Sequence, residues 1–325
     1  MKIFIRLFEK IKARIFYARM EKAVIPCPLC KSPDSEHVQL IKHDRYSMGL
    51  STVICRNCNM IFTNPRPTEE ALKAFYQNNY RDYYFSYPDP KSDGFKDSFI
   101  HLNAQRRAKD IYKRISKYVR ENPTVLDVGC GEGALLEQIR GAYPDAHLVG
   151  CEPSEKYAVY AAETSCAEVY AIDVHGFLEK NDKTFDLISI SHVLEHVTDP
   201  IGILKKLSDV LNPDGVIYIE VPNILSSSWR GPGMFHIAHI THFSPNTLIN
   251  ALERTKLDLV KGFFGEHDVE KYAMSVVVKS NHNSKKLISV QGGNDNFQKV
   301  CDFVKIRAKK PNIIKRVANL VFKKN

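Results

Sequence analysis

"VLDVGCGEGALL", residues 125–136, decides the fold. "VLDV" reads as the close of a buried strand and "ALL" as the first turn of a helix. Between them glycine occupies alternate positions, 129, 131 and 133. A strand–turn–helix of this kind brings the backbone close to a nucleotide-like ligand, because glycine presents no Cβ. From residue 123 onward the signals alternate. "TVLDVG", "HLVGCE", "VYAID", "FDLISIS" and "GVIYIEVP" are near-continuous apolar strands separated by helical stretches. That pattern predicts a parallel sheet covered on both faces. "LDLVKGFFG" and "AMSVVVKS" then read as an antiparallel hairpin on the sheet edge.

The turn also discriminates between ligands. The dinucleotide fingerprint G-x-G-x-x-G sets a pyrophosphate on the helix N-terminus. Here the third glycine comes one residue early, and Asp127 and Glu132 flank the turn. Two desolvated carboxylates repel a pyrophosphate and suit a ligand that is locally cationic. S-adenosylmethionine carries an ammonium and a sulfonium and has no phosphate. Glu152, at the tip of the second strand, suits ribose hydroxyls, and Asp173, after the third, suits an adenine amino group.

With these residues in place, positions 123–223 resemble the class I S-adenosylmethionine-dependent methyltransferases. The resemblance runs from "VLDVGCGEG" through "GCEPS", "AID" and "FDLISISHVLEHVTDP" to "LNPDGVIYIEVPN". It implies an α/β Rossmann-like sheet of seven strands, mostly parallel with the last antiparallel, and helices on both faces. It further implies that Asp127, Gly129, Cys130, Gly131 and Gly133 hold the methionine end. Glu152 with Pro153 would hold the ribose, Asp173 with Val174 the adenine side, and Ser191 and His192 would line the cofactor.

"HVLEH", residues 192–196, matches the H-x-x-E-H zinc-protease signature. That chemistry needs both histidines on one helix face, whereas this motif follows a buried strand at the carboxyl edge of the sheet. The better expectation is that Glu195 or His196 faces a substrate; capping of the next helix by His196 is the competing structural role. "SISHV" also lacks the Asn/Asp-Pro-Pro-aromatic motif of enzymes that methylate base amines.

Two C-x-x-C pairs, Cys27/Cys30 and Cys55/Cys58, stand 24 residues apart among eight cysteines. Four thiolates at this spacing suit structural Zn²⁺, and the segment is too short to build its own core. A zinc-ribbon-like module over residues 23–66 is expected. Cys130 and Cys151 read as small packing residues. "CPLC" knuckles also precede some ribosomal-RNA methyltransferases. The ribbon followed by this catalytic domain more closely resembles bacterial methyltransferases of sugar and surface-polysaccharide pathways.

Beyond the fifth strand, "SSSWRGPGMFHIAHITHFSP" (226–245) holds the only Trp and His236, His239 and His242. Ligands bind outside the carboxyl ends of parallel strands, and this loop leaves one of them. Histidine suits removal of a hydroxyl proton as a methyl transfers, with His242 or His196 as the expected base. Zinc on the three loop histidines is disfavoured, since no carboxylate or Cys lies at ligand spacing.

The formal net charge of +9 belongs to the ends. Residues 1–22 sum to +5 and 299–325 to +8, leaving the body acidic, which disfavours nucleic acid. Residues 1–22 predict a basic amphipathic helix, 67–120 a helical connector or lid, 121–282 the catalytic domain and 283–325 a basic amphipathic tail. The ends fit either peripheral contact with anionic lipid or docking on the protein. No secretory signal and no membrane span of ~18 apolar residues is read, so a cytoplasmic protein is expected.

The leading expectation is methyl transfer to a small-molecule hydroxyl, most simply on a sugar or glycan precursor. A quinone or lipid headgroup at the membrane surface is the alternative acceptor. A ribosomal-RNA methyltransferase and a non-catalytic binding module are the remaining readings.

Overall fold

The computed structural model describes residues 15–42, 44–45, 49–78, 88–265, 271–280 and 297–309, with the side chains of 76–78 excepted. Two short strands, β1 (Lys22–Ala23) and β5 (Arg66–Pro67), pair antiparallel and close off the cysteine segment. Inside it, β2 (His37–Ile41), β3 (Thr52–Cys55) and β4 (Ile61–Thr63) form an antiparallel meander.

The apolar runs of the catalytic region become β6 (Thr124–Val128), β7 (His147–Cys151), β8 (Glu168–Tyr170), β9 (Phe185–Ser191) and β10 (Leu211–Pro222). Next come β11 (Thr241–His242), β12 (Leu257–Phe263) and β13 (Ala273–Ser280). The main sheet has the order β12-β13-β10-β9-β6-β7-β8. Its five N-terminal strands are mutually parallel, and β13 runs antiparallel to both β10 and β12. The expected edge hairpin is present, with its second strand inserted inward against β10. The burial pattern explains the order. Ala273 to Val278 are all buried and need neighbours on both sides, whereas β12 is half-exposed and tolerates the edge.

Helices cover both faces. Asp199 caps the helix Pro200–Asp209, its carboxylate accepting from Gly202 N, and Pro200 occupies the first turn. The helix Phe99–Ile115 is capped by Ser98 and ends five residues before the boundary expected from sequence, passing into a short 3-10 turn at Ser116–Tyr118. It packs Ala108, Ile111 and Ile115 onto Leu135, Leu136 and Ile139 of the helix Ala134–Ala142. Ahead of it, Phe95 is buried under Tyr157 and Tyr160, and the Tyr157 hydroxyl donates to Pro88 O.

The cysteine module is not a free appendage. Strand β11, from the 226–245 loop, adds to its meander: Thr241 pairs with Phe62 and His242 with Ile61. Cys27, Leu29, Met60 and Phe62 share one apolar cluster with Leu126, Ile188, Ile190 and Phe243 of the catalytic domain. A segment too small for its own core has joined its neighbour's.

The described parts of both termini dock on the protein. Residues 15–19 are helical, Tyr17 packs on Leu50, Phe75 and Ile237, and Lys22 Nζ donates to the carbonyls of Tyr17 and Met20. The expected helix therefore gives way to β1 before residue 22. The helix Phe297–Ala308 buries Val300, Cys301 and Val304 against Leu40, Ile54, Trp229 and Phe235. Residues 1–14 and 310–325, which carry most of the lipid-contact expectation, lie outside the described residues. Among those described, no helix is long and apolar enough to cross a membrane.

Candidate active site

Asp127 is the buried penultimate residue of β6, and the turn after the strand has Gly129, Gly131 and Gly133 at φ of 68°, 57° and 82°. These are left-handed conformations that favour glycine. The Gly129 and Cys130 N–H groups both donate to Cys151 O, tying the turn to the end of β7. A Cβ at Gly133 would lie 2.8 Å from the Ala161 Cβ, and one at Gly129 would lie 2.4 Å from Val193 Cγ2. At Gly131 a Cβ would meet none of the described residues within 4 Å, so among them this bend is uncovered. Cys130 is buried, with Sγ 2.9 Å from where a Gly150 Cβ would be, and burial raises its thiol well above the usual range. It is a packing residue in a tight turn.

Burial pushes the Asp127 carboxyl up to about 7, the Ser189 hydroxyl drawing part of the shift back and the Glu152 charge adding to it. A carboxylate in that state is stabilised by a nearby cation. Glu132 faces the other way, its Oε1 2.7 Å from His101 Nδ1 on the helix Phe99–Ile115. Its expected partner was a ligand; the structure supplies a histidine.

Glu152 and Asp173 sit at the tips following β7 and β8. Glu152 Oε1 accepts from Ser154 N at 2.9 Å, and Asp173 Oδ1 accepts from Gly176 N at 2.8 Å as the cap of the helix Val174–Lys180. Pro153 is exposed beside Glu152 and Val174 is buried beside Asp173. At the end of β9, Ser191 Oγ donates to Glu220 Oε1 at 2.9 Å. Glu220 is buried in β10 and also accepts from the Tyr218 hydroxyl at 2.7 Å. His192, at φ 54°, has Nδ1 3.4 Å from Glu195 Oε1 and Nε2 3.4 Å from Glu220 Oε1. Burial and Arg107 oppose its protonation, but the two carboxylates outweigh them and hold its pKa up at about 9.

Residues 193–196 form a turn and not a helix, so "HVLEH" lacks the geometry of a helical protease motif. Nor does His196 cap the next helix, since Asp199 does. The turn instead brings Glu195 and His196 under the 226–245 loop, where Glu195 O accepts from both Ile240 N and Thr241 N. Glu195 Oε1 lies 3.7 Å from His196 Nε2 and 3.9 Å from His239 Nε2. His242 lies beyond, its ring centroid 6.3 Å from that of His239, and burial lowers its pKa to about 3. His236 stacks on His239 with centroids 3.8 Å apart. The loop histidines therefore do not converge on one point; His239 converges with His196 and Glu195.

In the cysteine module, Cys27 Sγ is 3.5 Å from Cys58 Sγ, and Cys30 Sγ is 3.6 Å from Cys55 Sγ. All four sulfurs lie within 4.8 Å of one another. The two knuckles repeat a geometry: Lys31 and Asn59, each directly after a second cysteine, are left-handed at φ 64° and 60°. Lys31 N donates to Cys27 O and Asn59 N donates to Cys55 O. Four sulfurs at this separation match the edges of a tetrahedron around a soft divalent ion, with M–S near ~2.3 Å.

Sequence reading missed His101, Glu220 and the pairing of His239 with Glu195. Glu195 and Glu220 did carry a signal, each being a lone carboxylate inside an apolar run, "VLEHV" and "YIEVP".

The sheet order, the glycine turn and the acidic strand tips define a class I S-adenosylmethionine-dependent methyltransferase fold. Residues 100–261, just under half of the chain, match the methyltransferase domain family. The chain is 32% identical over 108 residues to a ubiquinone biosynthesis O-methyltransferase of Yersinia enterocolitica, covering 32% of this chain and 45% of that protein. It is 28% identical over 143 residues to an uncharacterized methyltransferase of Schizosaccharomyces pombe, covering 40% and 51%. The chain thus spans about half the length of the curated relatives it matches. Among solved structures, a S-adenosylmethionine-dependent methyltransferase from Clostridium acetobutylicum is similar at 14% identity and TM-score 0.47, over 63% of this chain and 100% of that one.

Proposed function

We propose that the chain transfers the methyl group of S-adenosylmethionine to a hydroxyl of a small-molecule acceptor. The observation that carries this reading is the histidine–carboxylate cluster of Glu195, His196 and His239. It follows directly on Ser191 and His192, at the carboxyl edge that also holds the glycine turn. When bound, the cofactor supplies an electrophilic methyl on sulfur. Asp127 and the turn from Gly129 to Gly133 hold its cationic methionine end, and Gly131 leaves the space for it. Glu152 and Pro153 border the ribose, Asp173 and Val174 the adenine side, and Ser191 and His192 the sulfonium side. His196 keeps its Nδ1–H on Ala238 O, which leaves Nε2 as the proton acceptor for the attacking hydroxyl. His242, buried in β11 and neutral, supports the wall of the site.

The four-cysteine cluster is assigned to structural Zn²⁺, which crosslinks two knuckles and so fixes β4, the strand on which β11 lies. A sugar or glycan precursor is the leading acceptor, on the resemblance of the ribbon-plus-domain arrangement. A quinol is the second reading, because relatives of the catalytic segment are named as ubiquinone O-methyltransferases.

Methyl transfer from radiolabelled S-adenosylmethionine to a panel of nucleotide sugars and catechol-type quinols tests both. The expected result is label on one class of hydroxyl. A His196→Ala variant should lose at least about 100-fold in turnover while binding the cofactor normally. Absence of cofactor binding by the wild-type chain would overturn the reading.

A further inference from the structure

We propose that Glu195, His196 and His239 form a second metal site, for a divalent first-row ion such as Zn²⁺ or Co²⁺, separate from the four-cysteine cluster; the ion occupies His196 Nε2, so the ion-free chain is the form in which that atom accepts a proton.

Two imidazoles are fixed in the tautomer that ligates. A backbone carbonyl only accepts, so the contacts His196 Nδ1 to Ala238 O at 2.9 Å and His239 Nδ1 to Met234 O at 3.2 Å place the ring protons on Nδ1. Each Nε2 is then a lone pair, and both are directed at Glu195 Oε1, at 3.7 and 3.9 Å. Anchoring of the distal ring nitrogen to a carbonyl is also how metal-ligating histidines are oriented.

Glu195 points the same way. It is 1% exposed, and among the described residues its carboxylate oxygens make no hydrogen bond; the His192 ring, with Nδ1 3.4 Å from Oε1, is shared with Glu220, and the Glu195 backbone is pinned by Ile240 and Thr241. One imidazole shared between two buried carboxylates leaves negative charge that a further cation compensates. The nitrogen–oxygen distances exceed hydrogen-bond length. They fit ligands each about 2.0–2.2 Å from a shared ion, whose tetrahedral edges are about 3.4 Å. The three ligand atoms lie within 4.8 Å of one another. The carboxylate that the 226–245 loop lacks is thus supplied by the turn after β9. Two histidines and one carboxylate suit borderline divalent ions and leave coordination positions open for water or a substrate oxygen.

The test is titration of the purified chain, first loaded with zinc at the four cysteines, with Co²⁺. The expected result is uptake of one equivalent with visible d–d absorption and no thiolate charge-transfer band. Glu195→Gln and His239→Ala should each weaken that uptake by at least about tenfold and leave the zinc content unchanged. If either variant fails to fold, X-ray absorption of the Co²⁺-loaded wild type decides: imidazole scattering supports the site, and its absence refutes it. The proposal is also overturned if there is no saturable uptake, if only a thiolate band develops, or if both folded variants bind Co²⁺ as the wild type does. None of these readouts depends on methyl transfer, so the site stands or falls apart from the acceptor.

Discussion

The backbone of His242 pairs with that of Ile61, joining the loop after β10 to the cysteine ribbon in one sheet. Three residues upstream of His242 lies His239, and three upstream of Ile61 lies Cys58. The order of the histidine cluster and the order of the knuckles are therefore mechanically linked.

Removal of the metal proposed for the four cysteines should consequently be felt in the loop. Exhaustive chelation is expected to lower Tm and to open residues 226–240 to proteolysis, because metal binding in such small modules is folding free energy. Limited proteolysis read by mass spectrometry checks this. An unchanged cleavage map after complete loss of metal would contradict the linkage.

Gly133→Ala and Gly131→Ala should separate packing from ligand space. At 133 a Cβ collides with the Cβ and backbone Cα of Ala161, at 2.8 and 2.9 Å, and φ is 82°. This variant should lose more than about 2 kcal/mol of stability. At 131 the methyl meets no atom of the described residues within 4 Å. It should cost only the backbone strain of about 1 kcal/mol while weakening cofactor binding. Denaturant unfolding and calorimetric titration distinguish the two outcomes.

Asp127 makes a pH prediction. Its carboxyl is raised from 3.8 to about 7 by burial, so the folded chain holds a proton there that the unfolded chain has released. The stability contributed by that proton is present below pH ~4 and is lost as pH rises toward 7. A cationic ligand beside the carboxylate reverses the preference, so binding should expel a proton and cofactor affinity should rise with pH up to about 7. Calorimetry at pH 6 in buffers of different ionisation enthalpy reads the release, and Asp127→Asn should abolish it.

The helix Phe297–Ala308 can be followed through the single tryptophan. Trp229 is buried, donates from Nε1 to Ile224 O, and shares a cluster with the fully buried Val304. Val304→Asp should undock the helix and shift Trp emission to the red. Val304→Ala should cost about 2 kcal/mol with little spectral change. An unaltered spectrum in the aspartate variant would show that the helix does not cover the indole.

Much of the fold was legible because buried parallel strands spell themselves out as apolar runs: β9 is buried from Phe185 to Ile190 and appears as "FDLISI". The glycine turn was legible for the same local reason, since its backbone demands are met within a few residues. The histidine cluster was not. Glu195 and His239 lie on opposite sides of β10, and only the pairing of β11 with β4 brings the loop back over the turn that carries Glu195. That pairing also separates the loop histidines: the rings of His236 and His239 lie tilted, with centroids 3.8 Å apart, while the carboxylate near His239 comes from the turn after β9.

The docking of the helix Phe297–Ala308 across Leu40 and Ile54 of the ribbon and Trp229 and Phe235 of the loop has a consequence for exchange between relatives. Ribbon, loop and this helix form a single inheritance unit spread over three separate stretches of chain. A chimera that swaps one stretch alone would carry half of each contact. Acceptor preference should therefore transfer only when all three are moved together.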